Sequence, residues 1–124
     1  MVEYGEAMRT NLAEKRAAYA AHLAESLTRI VETLSAMPVV ERIVLFGSYA
    51  QGRRDLFTDL DILVVMRTDL GFLERTTRLY QMLDLTVDAD ILCYTPEEFD
   101  QLKDRPFFRR ILREEVLLYE KKPA

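Results

Sequence analysis

The chain has 124 residues, 49% of them hydrophobic, and a formal net charge of −4. That is the size of one domain with apolar material for a core, and it is too acidic for the clustered Lys and Arg that neutralise nucleic-acid phosphates. A lone cysteine, Cys93, excludes an intrachain disulfide and a cysteine-based zinc site.

The opening MVEYGEAMRT lacks the basic-then-apolar order of a signal peptide, and no apolar run reaches membrane-spanning length. A soluble cytoplasmic protein without a membrane partner is the expectation. Residues 6–37 contain neither Gly nor Pro, and Tyr19, Leu23, Leu27, Ile30 and Leu34 recur at helical spacing. This predicts one long helix that Pro38 ends. At ~1.5 Å per residue it would run roughly 48 Å, longer than a small domain is wide. Its first turns should project, break, or pack on another chain, so a homo-oligomer is one expected outcome.

Residues 43–46 are an apolar run that reads as a buried strand, closed by Gly47. Gly47 lets the backbone turn sharply and a ligand approach it. Ser48 offers a hydroxyl and nearby N–H groups to an anion. Gly52 closes the turn, and Arg53 and Arg54 set two cations beside it. Residues 60–66 form a second apolar strand, broken by Asp61. Asp59 and Asp61 leave the same face, with Cα atoms roughly 6.6 Å apart. At an effective dielectric near 20, two such charges repel by about 2–3 kcal/mol. A cation between them relieves this, and oxygen-only ligands favour Mg²⁺ or Mn²⁺ over zinc. The competing reading has Asp59 capping a loop and Asp61 hydrogen-bonded in the core.

Further along, Thr68 and Asp69 read as the cap of a helix buried through Phe72, Thr76, Leu79, Tyr80 and Leu83, with Glu74 and Arg78 paired outside. Residues 85–94 alternate, which predicts a strand with Asp88 and Asp90 on one face and Cys93 on the apolar other. Thr95-Pro96-Glu97-Glu98 is a capping box with Pro at the first helical position. After Asp104 and Pro106 a last helix follows, its apolar pairs being Phe107 with Ile111 and Phe108 with Leu112. Lys103, Arg105, Arg109, Arg110 and Arg113 read as its solvated face. Residues 116–119 form a final strand.

A strand, then Gly47-Ser48, then ten residues, then Asp59-x-Asp61 on the next strand resembles the signature of the nucleotidyltransferases of the DNA polymerase beta superfamily. Small size and the TPEEF stretch make the chain most similar to the minimal nucleotidyltransferases, often encoded beside HEPN-domain partners. The likeness covers about residues 40–120, with Thr58 where Ser is usual. It implies an α/β nucleotidyltransferase fold, a mixed sheet with helices packed on one side. It also implies a single domain over 1–124, with the helix in 1–38 and the catalytic core in 39–120.

By that resemblance Asp59 and Asp61 would bridge two Mg²⁺ ions, with Mn²⁺ an alternative, and Asp90 would be the third carboxylate. Asp88, on the same predicted face, stays open as its alternative. Gly47 and Ser48 would hold the outer phosphates of a nucleoside triphosphate, ATP or another, with Arg53 or Arg54 neutralising charge. The implied reaction moves AMP to a hydroxyl, with a HEPN-domain toxin as the implied acceptor, which would make this chain an antitoxin. Two other readings stand beside it. One is a non-catalytic module that neutralises a partner by contact, which would not need three acidic positions. The other is a small-molecule enzyme of the antibiotic-modifying kind, which would need an added substrate domain.

Overall fold

The computed structural model describes residues 2–123. Helix α1 (Val2–Ser35) leads into strand β1 (Val40–Phe46), the single turn α2 (Gly47–Ala50) and strand β2 (Leu60–Met66). Helix α3 (Phe72–Leu83), strand β3 (Ala89–Tyr94), helices α4 (Pro96–Leu102) and α5 (Pro106–Glu114), and strand β4 (Val116–Glu120) complete the chain. The sheet order is β3-β2-β1-β4. β1 runs antiparallel to β2 and β4, while β2 and β3 are parallel. The parallel pair requires a crossover, and α3 supplies it.

Alternation along the strands builds two cores. Ile43, Leu45, Ile62, Val64, Ile91 and Cys93 face α1 and α3, where they meet Leu23, Ile30, Leu34, Leu79 and Leu83. Val44 and Leu63 face the other way, onto Phe108 and Ile111 of α5, with Leu92, Phe99 and Leu102 at the margin. The mixed α/β sheet and its long N-terminal helix are therefore as expected. One-sided packing is not the whole picture, because α4 and α5 cover a second, smaller cluster on the opposite face. Truncating a fully buried residue such as Leu63 to Ala should cost about 2–5 kcal/mol.

α1 spans 34 residues, ~51 Å at 1.5 Å each. Side chains 9 and 11–18 are exposed, and burial begins at Tyr19. Residues 9 and 11–18 thus take no part in the core that the second half of the helix helps to build. Of the two apolar residues that sequence placed there, Leu12 is exposed, and Met8 has a side chain outside the described residues.

Four local expectations changed. Phe72 and Tyr80 are exposed and the buried side of α3 is Arg75, Leu79 and Leu83, because Tyr80 lies along the edge strand β3, its hydroxyl donating to the Ala89 carbonyl and accepting from Ile91 N–H. β3 begins at Ala89 rather than Leu85, because β2 begins at Leu60 and the ladder starts with the Leu60–Ala89 pair. The last bond before it is Leu60 N–H to the Asp88 carbonyl, 3.1 Å. Thr68 does not cap α3; its hydroxyl accepts from Leu70 N–H at 3.1 Å, and Gly71 is the N-cap, with no side-chain bond. Phe107 is exposed, and Phe108 and Ile111 are the core residues of α5.

The capping box of α4 forms as read. Thr95 Oγ1 accepts from Glu98 N–H at 3.2 Å, and Glu98 Oε1 accepts from Thr95 N–H at 2.7 Å. Glu98 also receives the buried guanidinium of Arg75, which donates to the Leu70 carbonyl as well. That pair fastens α3 to α4 around the end of β3.

Candidate active site

The sheet edge formed by the end of β1 and the starts of β2 and β3 gathers the acidic positions. Phe46 is the ladder partner of Asp61 across the antiparallel pair, and Asp90 is its partner across the parallel pair. Neighbouring strands lie about 4.8 Å apart, so Asp61 and Asp90 are on one rung. Asp59 sits two residues before Asp61, just outside the strand. Asp88 lies before β3 begins, and its main chain holds the first rung through Leu60.

These carboxylates affect one another. The Asp61 carboxyl is pushed above the usual aspartate range, first by burial, then by Asp90 and Asp59. Gly47 lies against the same side chain: a Cβ there would overlap the Asp61 carboxylate. Its φ of +76° is a second reason for glycine. Sequence supplied the turn and a ligand's approach as reasons for Gly47; the close approach of Asp61 comes from strand pairing.

Ser48 is half-buried in α2, and its carbonyl accepts from Arg53 N–H at 3.0 Å. The two arginines both have partners. Arg53 Nε donates to Asp55 Oδ2 at 2.7 Å. Arg54 lies 3.4 Å over the Tyr49 ring and donates to the Tyr49 carbonyl at 2.8 Å. Asp55 was not singled out in the sequence, yet it organises the loop. It accepts from Arg53, from Phe57 N–H at 2.9 Å and from the Thr58 hydroxyl at 3.2 Å. Arg53 holds its carboxyl below the usual range. The signal was an Asp with Thr three residues on, a loop-closing pattern.

Tyr19 is the other residue that sequence missed, counted only as part of the core stripe. Its hydroxyl donates to the Thr58 carbonyl at 2.8 Å. Burial, then Asp88 and Asp59, push that hydroxyl upward in pKa. Helix α1 thus touches the loop that carries Asp59.

All the candidate ligands are carboxylate oxygens, which suit a hard divalent cation. Among the described residues, no three Asp, Glu, His or Cys side chains stand together at metal-holding geometry. What the backbone does bring together is the Asp61–Asp90 rung, with Asp59 beside it and a glycine face against it. In donor chemistry, all carboxylate oxygen with Asp61 and Asp90 on one rung, the residues fit Mg²⁺. A cleft of about 480 Å³ at the opposite end of the sheet, between Arg42, Val65 and Phe99, contains none of them.

A comparison with family models matches residues 28–124 to "Polymerase beta, Nucleotidyltransferase". The chain belongs to this family. As a nucleotidyltransferase it is 31% identical, over 81 residues, to a Methanocaldococcus jannaschii protein provisionally named protein adenylyltransferase, covering 64% of this chain and 79% of that one. The crystal structure of a provisionally assigned nucleotidyltransferase from Sulfolobus solfataricus superposes with a TM-score of 0.57 at 22% identity. It spans 86% of this nucleotidyltransferase and 87% of its own chain, a likeness of fold. A crystal structure of a toxin–antitoxin with AMP-PNP gives a TM-score of 0.48 at 21% identity, covering 79% of this chain and 73% of that one. No helix among the described residues is long and apolar enough to cross a membrane.

Proposed function

We propose that this nucleotidyltransferase moves AMP from ATP to a hydroxyl on a protein partner and releases pyrophosphate. The observation that carries the reading is the shared rung of Asp61 and Asp90, with Asp59 at its mouth and Gly47 against Asp61. In this reaction the acceptor oxygen attacks the α-phosphorus. The bond to the bridging oxygen breaks, and pyrophosphate leaves with the electron pair. The acceptor's proton passes to solvent or to a nearby carboxylate.

Asp59, Asp61 and Asp90 are the residues that would hold two Mg²⁺ ions. When bound, such ions supply Lewis-acid stabilisation of the phosphoryl oxygens. Gly47 and Ser48 present main-chain N–H groups and a hydroxyl to the outer phosphates. The raised pKa of Asp61 agrees with the same reading: burial first, then the neighbouring Asp90 and Asp59, disfavour its charged form, and a bound cation would offset all three. Asp90 is favoured over Asp88 because it is level with Asp61, while Asp88 precedes the strand.

The protein acceptor is supported by the M. jannaschii relative, which is named for protein adenylylation. The resemblance in motif and size to minimal nucleotidyltransferases points to a HEPN-domain toxin as that partner, with an antitoxin role for this chain. The test is transfer of labelled AMP from ATP to a candidate HEPN-domain protein, with and without Mg²⁺. Label that appears on the partner only with metal, and disappears in Asp61→Asn, is the expected result. Label transfer that persists in excess chelator would remove the metal assignment.

A further inference from the structure

Beside the carboxylate edge lies a second feature that the transfer chemistry does not use. A cleft of about 160 Å³ opens between α2 and α5, lined by Phe46, Gly47, Gln51, Phe107, Arg110 and Glu114. One end is Gly47, the residue that abuts Asp61. The far wall is α5. Gln51 Nε2 donates to Glu114 Oε2 at 3.0 Å, which joins the two walls and sets an amide and a carboxylate along one rim.

Phe107 is 56% exposed, while its neighbour Phe108 is 6% exposed. The two rings pack edge to face, centroids 5.4 Å apart at 86°. The Phe107 ring is thus held in orientation by the core yet left open on the cleft side. The Arg110 side chain, one turn on, makes no hydrogen bond or ion pair among the described residues. Arg53 and Arg54, by contrast, are engaged within their own loop.

We infer that this cleft receives the base of the nucleoside triphosphate, stacked on Phe107, with the Gln51–Glu114 pair along the base's hydrogen-bonding edge. The inference rests on the nucleotidyl-transfer reading and names the part of the site that handles the phosphate-distal end of the donor. Size agrees. Pockets for whole drug-sized ligands run to roughly 300–1,000 Å³, so this one has room for a ring system and not for a complete triphosphate. Chemistry agrees as well. Every base has a π face that an aromatic side chain can stack on, and a hydrogen-bonding rim can read its edge. Arg110 lines the same cleft one turn on from Phe107 and brings a cation to it.

The experiment is calorimetry on the full chain in Mg²⁺, with ATP and inorganic tripolyphosphate as separate probes. Phe107→Ala should weaken ATP by about five- to a hundredfold, the span that one lost base–aromatic stack carries, and leave tripolyphosphate unchanged. Phe107→Trp should restore ATP affinity, which shows that the platform matters and not the packing of α5. Unchanged ATP affinity in Phe107→Ala overturns the subsite. So does an equal loss for both probes, because α5 would then be shaping the phosphate site. If the wild-type chain binds tripolyphosphate but gains nothing from the nucleoside, the subsite fails while the phosphate reading stands. If it binds neither probe, the nucleotidyl-transfer reading fails first, and the subsite with it.

Discussion

The Asp61 carboxylate occupies the space that a Cβ on Gly47 would fill. The strand-to-helix turn and the acidic edge are therefore one packing unit, and neither can change without the other. Gly47→Ala meets two obstacles, a backbone at φ +76° and a displaced Asp61. Strain of this kind costs about 1–3 kcal/mol, and AMP transfer should be lost. Gly52→Ala is the comparison: its φ is +99°, but nothing lies within 4 Å of the added Cβ. It should show the loss of stability with much of the transfer activity intact. Urea denaturation together with the transfer assay distinguishes the two.

Asp90→Asn should fold and lose activity by orders of magnitude, since the proposed metal site would lose an anionic ligand on the Asp61 rung. Asp88→Asn should keep most activity, because what Asp88 gives the fold is its carbonyl. A dead Asp88→Asn beside an active Asp90→Asn would reverse the assignment. Rates of labelled AMP transfer decide.

Tyr19→Phe removes the donor to the Thr58 carbonyl, in a loop segment where Thr58 is fully buried. The cost in stability should be about 1 kcal/mol. Because Thr58 precedes Asp59, kcat should fall while the KM for ATP changes little. A loss confined to stability, with kcat intact at low temperature, would make Tyr19 a packing residue alone.

The Arg75–Glu98 pair should give the fold an acid-side dependence. Hydrogen bonds from Arg75, then from Thr95 N–H, hold the Glu98 carboxyl below its usual range. A carboxylate with a depressed folded pKa adds stability above its unfolded pKa and loses it as pH falls through the folded value. Stability should therefore drop below the ordinary glutamate range. Glu98→Gln should flatten that part of the profile and cost about 1 kcal/mol at neutral pH, modest because Glu98 is partly exposed. Urea midpoints from neutral to acid pH measure it.

The projecting half of α1 should mediate contact with another chain. A chain beginning near Arg16 retains every described α1 side chain that is buried and should stay folded. Its sedimentation mass or its binding to the proposed HEPN-domain partner should fall. Unchanged values for both would assign the exposed segment no docking role.

Local chemistry was legible in the residues alone. Asp59 and Asp61 share a face because strand side chains alternate, and the TPEE box caps α4 because its partners are three residues apart. The long helix followed from its period, and the Gly47-Ser48 spacing to Asp59 carried the family. Contacts between distant segments needed the fold. Alternation runs through Asp88 and Asp90 alike, and only the start of β2 decides where β3 can begin pairing. Phe107 and Phe108 are equally apolar, and only the placement of α5 over Val44 and Leu63 decides which is buried. Tyr19 and Thr58 are 39 residues apart and meet because α1 packs on the sheet. Periodicity and capping are set by bonds within a few residues, whereas register and docking depend on which surfaces the chain brings together when the core closes.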